Sequence, residues 1–121
     1  MNAQSAPIPA ATRTVQVGTR LIHLAELGAG PALLMLHGGG PGASGLSNYA
    51  RNVQALARHF RVIVPDLPGY GKSSKGVNAD DPFGDLADAM LGLLDALDIA
   101  RAHVVGNSLG GGVAIQMTLD H

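Results

Sequence analysis

Ala102-His103-Val104-Val105 runs directly into Gly106-Asn107-Ser108-Leu109-Gly110, and a helix-compatible segment follows. An apolar run of strand length, a G-x-S-x-G pentapeptide and then a helix is the sequence form of a nucleophile elbow. The sharp turn lifts a serine hydroxyl clear of the backbone at the end of a strand. Small residues on either side let the turn close without side-chain collision. The segment predicts a buried strand over 102–105, an exposed nucleophile at Ser108, and a last helix with Val113, Ala114 and Met117 on one side.

Upstream, the same grammar repeats. Ala32-Leu33-Leu34-Met35-Leu36 is a continuous apolar run, as expected of a strand covered on both faces, and 61–65 is a second. Leu46, Tyr49, Val53, Leu56, Ala57 and Phe60 recur at helical spacing between them. Asp81-Pro82 reads as an N-cap and first-turn proline, and Phe83, Leu86, Met90, Leu91, Leu94 and Leu97 mark the helix after it. Ahead of all this, 14–17 and 21–27 read as a hairpin around Gly18-Thr19. Residues 1–12, with Pro7 and Pro9, read as a flexible arm, and 13–121 hold the domain. The predicted class is α/β: an opening β-hairpin, then strand-helix alternation forming a mostly parallel sheet with helices on both faces. In such a sheet the loops at the carboxyl ends of the strands carry the site. Here those loops follow Leu36, Pro65 and Val105.

Composition bounds the function. The chain has 121 residues, 46% hydrophobic and 14% charged, which suits one small globular domain. Two Phe, two Tyr and no Trp make the core aliphatic. A net charge of −1 gives no electrostatic footprint for nucleic acid or an anionic membrane. There is no cysteine for a disulfide, and the five His form no metal-ligand spacing, so no metal is expected. The first residues carry neither a basic region nor a long apolar run, so neither a signal peptide nor a membrane helix is expected and a cytoplasmic protein is the default.

Ser108 needs a base to take its proton, and the helix after it favours negative charge nearby. His37-Gly38-Gly39-Gly40-Pro41-Gly42 begins where a buried strand ends. Its backbone N–H groups suit an oxyanion hole, together with the N–H of Leu109 after the nucleophile. Gly38-x-Gly40-x-x-Ala43 also satisfies a loose dinucleotide pattern, and a plain tight turn is the third reading. Pro41 removes one donor from the loop, and the elbow favours the oxyanion hole. Gly71-Lys72-Ser73 echoes a P-loop ending, but Asp66 stands where that motif needs glycine. Asp66 is read as an acceptor for loop N–H groups, with a catalytic role as the alternative. His37 is read as fixing the glycine loop. His23, His59, His103 and His121 are not placed to act as the base. Asn107 and Asn48 are candidates for ligand contact or for local capping.

Together His37-Gly38-Gly39-Gly40-Pro41-Gly42-Ala43, Ser47-Asn48-Tyr49, Asp66-Leu67-Pro68-Gly69 and Gly106-Asn107-Ser108-Leu109-Gly110-Gly111 resemble the α/β-hydrolase superfamily, and within it the meta-cleavage-product hydrolases. The resemblance runs from about Thr14 to His121. It implies a carbon–carbon bond hydrolase acting on 2-hydroxy-6-oxohexa-2,4-dienoate-type compounds after ketonisation of the dienol. It makes Ser108 the nucleophile and gives Gly39 and Leu109 the oxyanion N–H groups. Gly40, Asn48 and Asn107 would contact the substrate. It implies no cofactor, no metal, a small-molecule partner and a possible homo-oligomer. Proline iminopeptidases are similar at the glycine loop but differ at Pro68 and Leu109, and haloalkane dehalogenases carry Asp at the place of Ser108.

The superfamily order is Ser, acid, His, so both partners of Ser108 would lie beyond His121. The expectation is therefore an N-terminal portion of a longer enzyme, inactive by itself and open at the edge of its third strand. An ester hydrolase, a proline-iminopeptidase-like hydrolase and a non-catalytic ligand-binding protein of the same fold are the alternatives.

Overall fold

The opening hairpin turns at Gly18, whose φ of +61° is a left-handed conformation open to a residue without Cβ. It joins β1 (Ala11–Val17) to β2 (Arg20–Leu27) in antiparallel register from Ala11↔Glu26 to Val17↔Arg20. The structure is a computed structural model that describes residues 7–40 and 42–120. The strand β1 starts three residues before the predicted Thr14, so Ala11 and Thr12 belong to it and not to an arm. The reason is the length of β2, which offers ladder partners out to Glu26, and an ion pair from Arg13 to Glu26 at 3.0 Å closes that end. Of the arm, residues 1–6 lie outside the described residues.

Three apolar strands follow: β3 (Ala32–Leu36), β4 (Arg61–Pro65) and β5 (His103–Gly106). The sheet order is β1-β2-β4-β3-β5. The pairs β1·β2 and β2·β4 are antiparallel, while β3·β4 and β3·β5 are parallel. Leu36, Pro65 and Gly106 therefore end at the same side of the sheet, and the three glycine-rich loops gather there.

Helices cover both faces. One face holds α1 (Gly45–Tyr49) and α2 (Val53–Leu56), which pack Tyr49, Val53 and Ala57 onto Leu33, Met35, Val62 and Val64. The other holds α3 (Pro82–Ala96) and α4 (Leu109–Asp120) over Ile22, Leu24, Leu34, Leu36 and Ile63. Each fully buried Leu or Ile there contributes about 1.5–3 kcal/mol of transfer free energy. Asp81 caps α3 by accepting from the Gly84 N–H at 3.1 Å, with Pro82 in the first turn, as the sequence predicts. The same helix ends at Asp98, whose φ of +59° occupies the left-handed position where glycine is usual. Among the described residues no helix is long and apolar enough to cross a membrane.

Two expectations need correction. The spacing from Leu46 to Phe60 predicts one helix, yet the chain breaks between α1 and α2, with Asn52 N–H turning back to the Tyr49 carbonyl at 2.8 Å. The periodicity survives because both pieces bury their apolar side chains against the same face of the sheet. The strand over 102–105 was expected to be buried on both faces, but β5 alternates exposed and half-buried residues. It stands at the open edge expected for it, paired among the described residues with β3 alone; Val104 packs against the core under the helices, while His103 and Val105 lie on the opposite face and are exposed.

Candidate active site

Ser108 sits between β5 and α4 with φ of +56°. That region is uncommon for a residue with a Cβ, and a strained turn of this kind holds a side chain out of the backbone. Ser108 is exposed, and its carbonyl accepts the Gly112 N–H at 3.1 Å, which starts α4. The two glycines of the pentapeptide are required by close approach. A methyl on Gly106 would overlap the Gly110 carbonyl, and one on Gly110 would overlap the carbonyls of Leu36 and His37.

The glycine loop lies directly across. A Cβ on Gly39 would stand 3.1 Å from the Leu109 side chain and 2.8 Å from the Tyr70 hydroxyl. Gly39 and Leu109 are therefore neighbours, and no bond ties either N–H to another described residue. Leu109 opens α4, where first-turn N–H groups have no helical acceptor. Two backbone donors without an acceptor among the described residues, beside an exposed serine, form the arrangement that can receive negative charge on an oxygen.

The helix α1 links the loops. Asn48 Oδ1 accepts from Gly38 N–H at 2.9 Å and from Asn107 Nδ2 at 3.1 Å. Tyr49 Oη donates to the Leu36 carbonyl at 2.7 Å, and Asn107 N–H donates to the same carbonyl at 3.1 Å. Burial pushes the Tyr49 phenol above its ordinary range, so it stays a neutral donor. Ser44 and Ser47 close a capping box at the start of α1.

Asp66 lies at the end of β4 with 6% exposure. Its Oδ1 accepts from Gly45 N–H at 2.8 Å and its Oδ2 from Lys72 N–H at 3.1 Å. Both oxygens are thus engaged by loop backbone. Ser73 Oγ donates to the Asp66 carbonyl at 2.6 Å and accepts from His23 N–H at 2.8 Å. His37 is fully buried, with Nδ1 2.7 Å from the Gly38 carbonyl oxygen and Nε2 2.9 Å from Leu67 N. Gly40 borders a cleft of about 620 Å³ with Ala43, Tyr70 and Lys75. That cleft adjoins the glycine loop but not Ser108, so it does not measure a substrate pocket.

The sheet brings Gly39, Asn48, Asn107, Ser108 and Leu109 to one end. It leaves His23 on β2, His59 after α2, and His103 on the exposed edge against Phe60. His121 and Pro41 lie outside the described residues. Among the described residues no group of three His, Asp or Glu is placed to hold a metal ion. Sequence reasoning missed the hydroxyl of Tyr49 and the buried Ser73. The signal was a tyrosine in an aliphatic core, since a buried phenol needs a partner.

Residues 31–121 match the model of the α/β-hydrolase fold family, and the chain belongs to that family. Among curated proteins it is 50% identical over 102 residues to a 2-hydroxy-6-oxo-6-phenylhexa-2,4-dienoate hydrolase of Burkholderia cepacia, covering 83% of this chain and 35% of that protein. It is 45% identical over 101 residues to a 2-hydroxy-6-oxononadienedioate/2-hydroxy-6-oxononatrienedioate hydrolase of Comamonas testosteroni, covering 83% and 35%. The solved 2-hydroxy-6-oxo-6-phenylhexa-2,4-dienoate hydrolase of Rhodococcus sp. strain RHA1 superposes with a TM-score of 0.85 at 33% identity, covering 93% of this chain and 42% of that one. The chain spans about a third of the length of the curated relatives it matches.

Proposed function

We propose that this chain is the N-terminal part of a serine-nucleophile hydrolase that cleaves a carbon–carbon bond in a 2-hydroxy-6-oxohexa-2,4-dienoate-type compound. The observation that carries the reading is Ser108, held at φ +56° on an elbow facing the glycine loop. The two kinds of dienoate hydrolase among its relatives supply the substrate class.

A carbon leaving group is acceptable only when its electron pair is delocalised. Ketonisation of the dienol provides this by placing a 2-oxo-3-enoate next to the breaking bond. A base from the remainder of the protein takes the Ser108 proton, and Oγ attacks the 6-oxo carbon. The N–H groups of Gly39 and Leu109 receive the oxyanion. Collapse breaks the C5–C6 bond, the pair moves into the conjugated system, and water then releases the acyl group. Asn107, Asn48 and Gly40 contact the dienoate end. By the superfamily order Ser, acid, His, the acid and histidine that complete Ser108 follow it in sequence.

The test is turnover of a phenyl-substituted dienoate by the whole protein, followed through loss of the dienol absorbance. Ser108→Ala is expected to lower kcat by about 10⁴-fold or more. Unchanged turnover would overturn the nucleophile. Cleavage of simple esters with none of the dienoate would overturn the carbon–carbon assignment alone.

A further inference from the structure

Which way one peptide faces decides whether Gly39 can act as an oxyanion donor. The Gly38 carbonyl and the Gly39 N–H belong to the same peptide unit. That unit is trans, so the two groups point in opposite directions. His37 Nδ1 lies 2.7 Å from the Gly38 oxygen, and its Nε2 lies 2.9 Å from Leu67 N. A backbone N–H only donates. Nε2 must therefore hold the lone pair, which puts the proton on Nδ1, aimed at the Gly38 carbonyl. The ring is fully buried and meets Tyr70 edge-on, with centroids 5.1 Å apart at 76°, so packing holds it in this orientation. The preceding peptide is fixed as well, because Asn48 Oδ1 accepts the Gly38 N–H at 2.9 Å.

We propose that His37 is a positioning residue for the oxyanion hole. Its Nδ1–H bond to the Gly38 carbonyl turns the Gly38–Gly39 peptide so that Gly39 N–H points away from the buried ring, toward the side shared with Leu109. The same bond polarises that N–H, since linked hydrogen bonds strengthen one another. The imidazole exchanges no proton with substrate. This inference rests on Gly39 being an oxyanion donor, as proposed above.

Two substitutions in the whole protein separate the two ring nitrogens. His37→Asn places an amide N–H near the Nδ1 position and gives up the Nε2 acceptor. His37→Gln reaches the Nε2 position, where its oxygen accepts from Leu67, and gives up the donor to Gly38. The expected result is a kcat loss of about 10- to 100-fold for His37→Gln with KM nearly unchanged, and a loss of less than about threefold for His37→Asn. Nitrogen NMR of the unmodified protein should show His37 protonated at Nδ1 and not at Nε2. The Gly39 amide proton should shift in His37→Gln and hold in His37→Asn.

Equal kcat losses that track the melting temperatures of both variants would overturn the proposal, as would an Nε2–H tautomer. If Ser108→Ala abolishes turnover while His37→Gln keeps full kcat, the hydrolase reading stands and this inference falls. If Ser108→Ala leaves turnover intact, the hydrolase reading falls first, and His37 loses its catalytic meaning with it. Should a variant fail to fold, the tautomer of the unmodified protein still decides.

Discussion

Removing the Asp66 carboxylate tests whether the end of β4 organises the two loops beside it. Asp66→Ala strips the acceptor from Gly45 N–H, bonded at 2.8 Å in a buried setting, and from Lys72 N–H, bonded at 3.1 Å and partly open to solvent. A buried donor left without a partner costs about 1–3 kcal/mol. Water can replace the carboxylate at Lys72, whose residue is exposed, so that bond adds about 0.5 kcal/mol. The expected loss is about 2–3 kcal/mol, read as a lower urea midpoint with an unchanged slope. Asp66→Asn keeps one oxygen for Gly45 and should cost about 1 kcal/mol. A loss below about 0.5 kcal/mol for the alanine variant, or an asparagine variant as damaged as the alanine one, would refute the assignment of both oxygens to loop backbone.

Two further outcomes are expected elsewhere. Gly110→Ala should destabilise strongly, by about 3 kcal/mol or more, because its methyl would overlap the Leu36 and His37 carbonyls. Gly111→Ala meets only the Gly106 carbonyl oxygen at 3.4 Å, an ordinary contact, and should be neutral or stabilise α4 by about 0.5–1 kcal/mol, with thermal melts separating the two. The Arg20 guanidinium, bonded at 2.5 Å, and then the Asn78 N–H hold the Asp85 carboxyl below the usual carboxylate range. A depressed carboxyl stabilises the fold above its unfolded pKa and loses that stabilisation as pH falls through the lower folded value. The stability difference from Asp85→Asn should therefore be largest near neutral pH, shrink in acid, and stay under about 1 kcal/mol because the pair is partly exposed.

The sequence was most legible where one local rule governs. The apolar runs of β3 and β4, the Asp81-Pro82 helix start and the glycine-serine elbow each follow from a few adjacent residues. It was least legible where a partner distant in sequence decides. The start of β1 depends on how far β2 extends, and the break between α1 and α2 leaves the apolar spacing intact. The edge position of β5 was expected, but the exposure of one of its faces depends on which helices pack over it, which its own residues do not encode. For the site, the elbow and the glycine loop were visible as motifs at strand ends. The bonds of Asn48 to Gly38 and Asn107 join positions 10 and 59 residues apart, and only the sheet brings them together.

The Leu36 carbonyl is a shared anchor. Both of its lone pairs are taken, one by the Asn107 N–H beside the nucleophile and one by the Tyr49 hydroxyl beside Asn48. A drift of the end of β3 therefore carries serine and glycine loop along together. The spacing between attacking oxygen and oxyanion donors is insulated from such motion, much as two instruments bolted to one post keep their alignment when the post sways. Changes that lengthen or tilt β3 should be tolerated better than changes that detach either passenger from it.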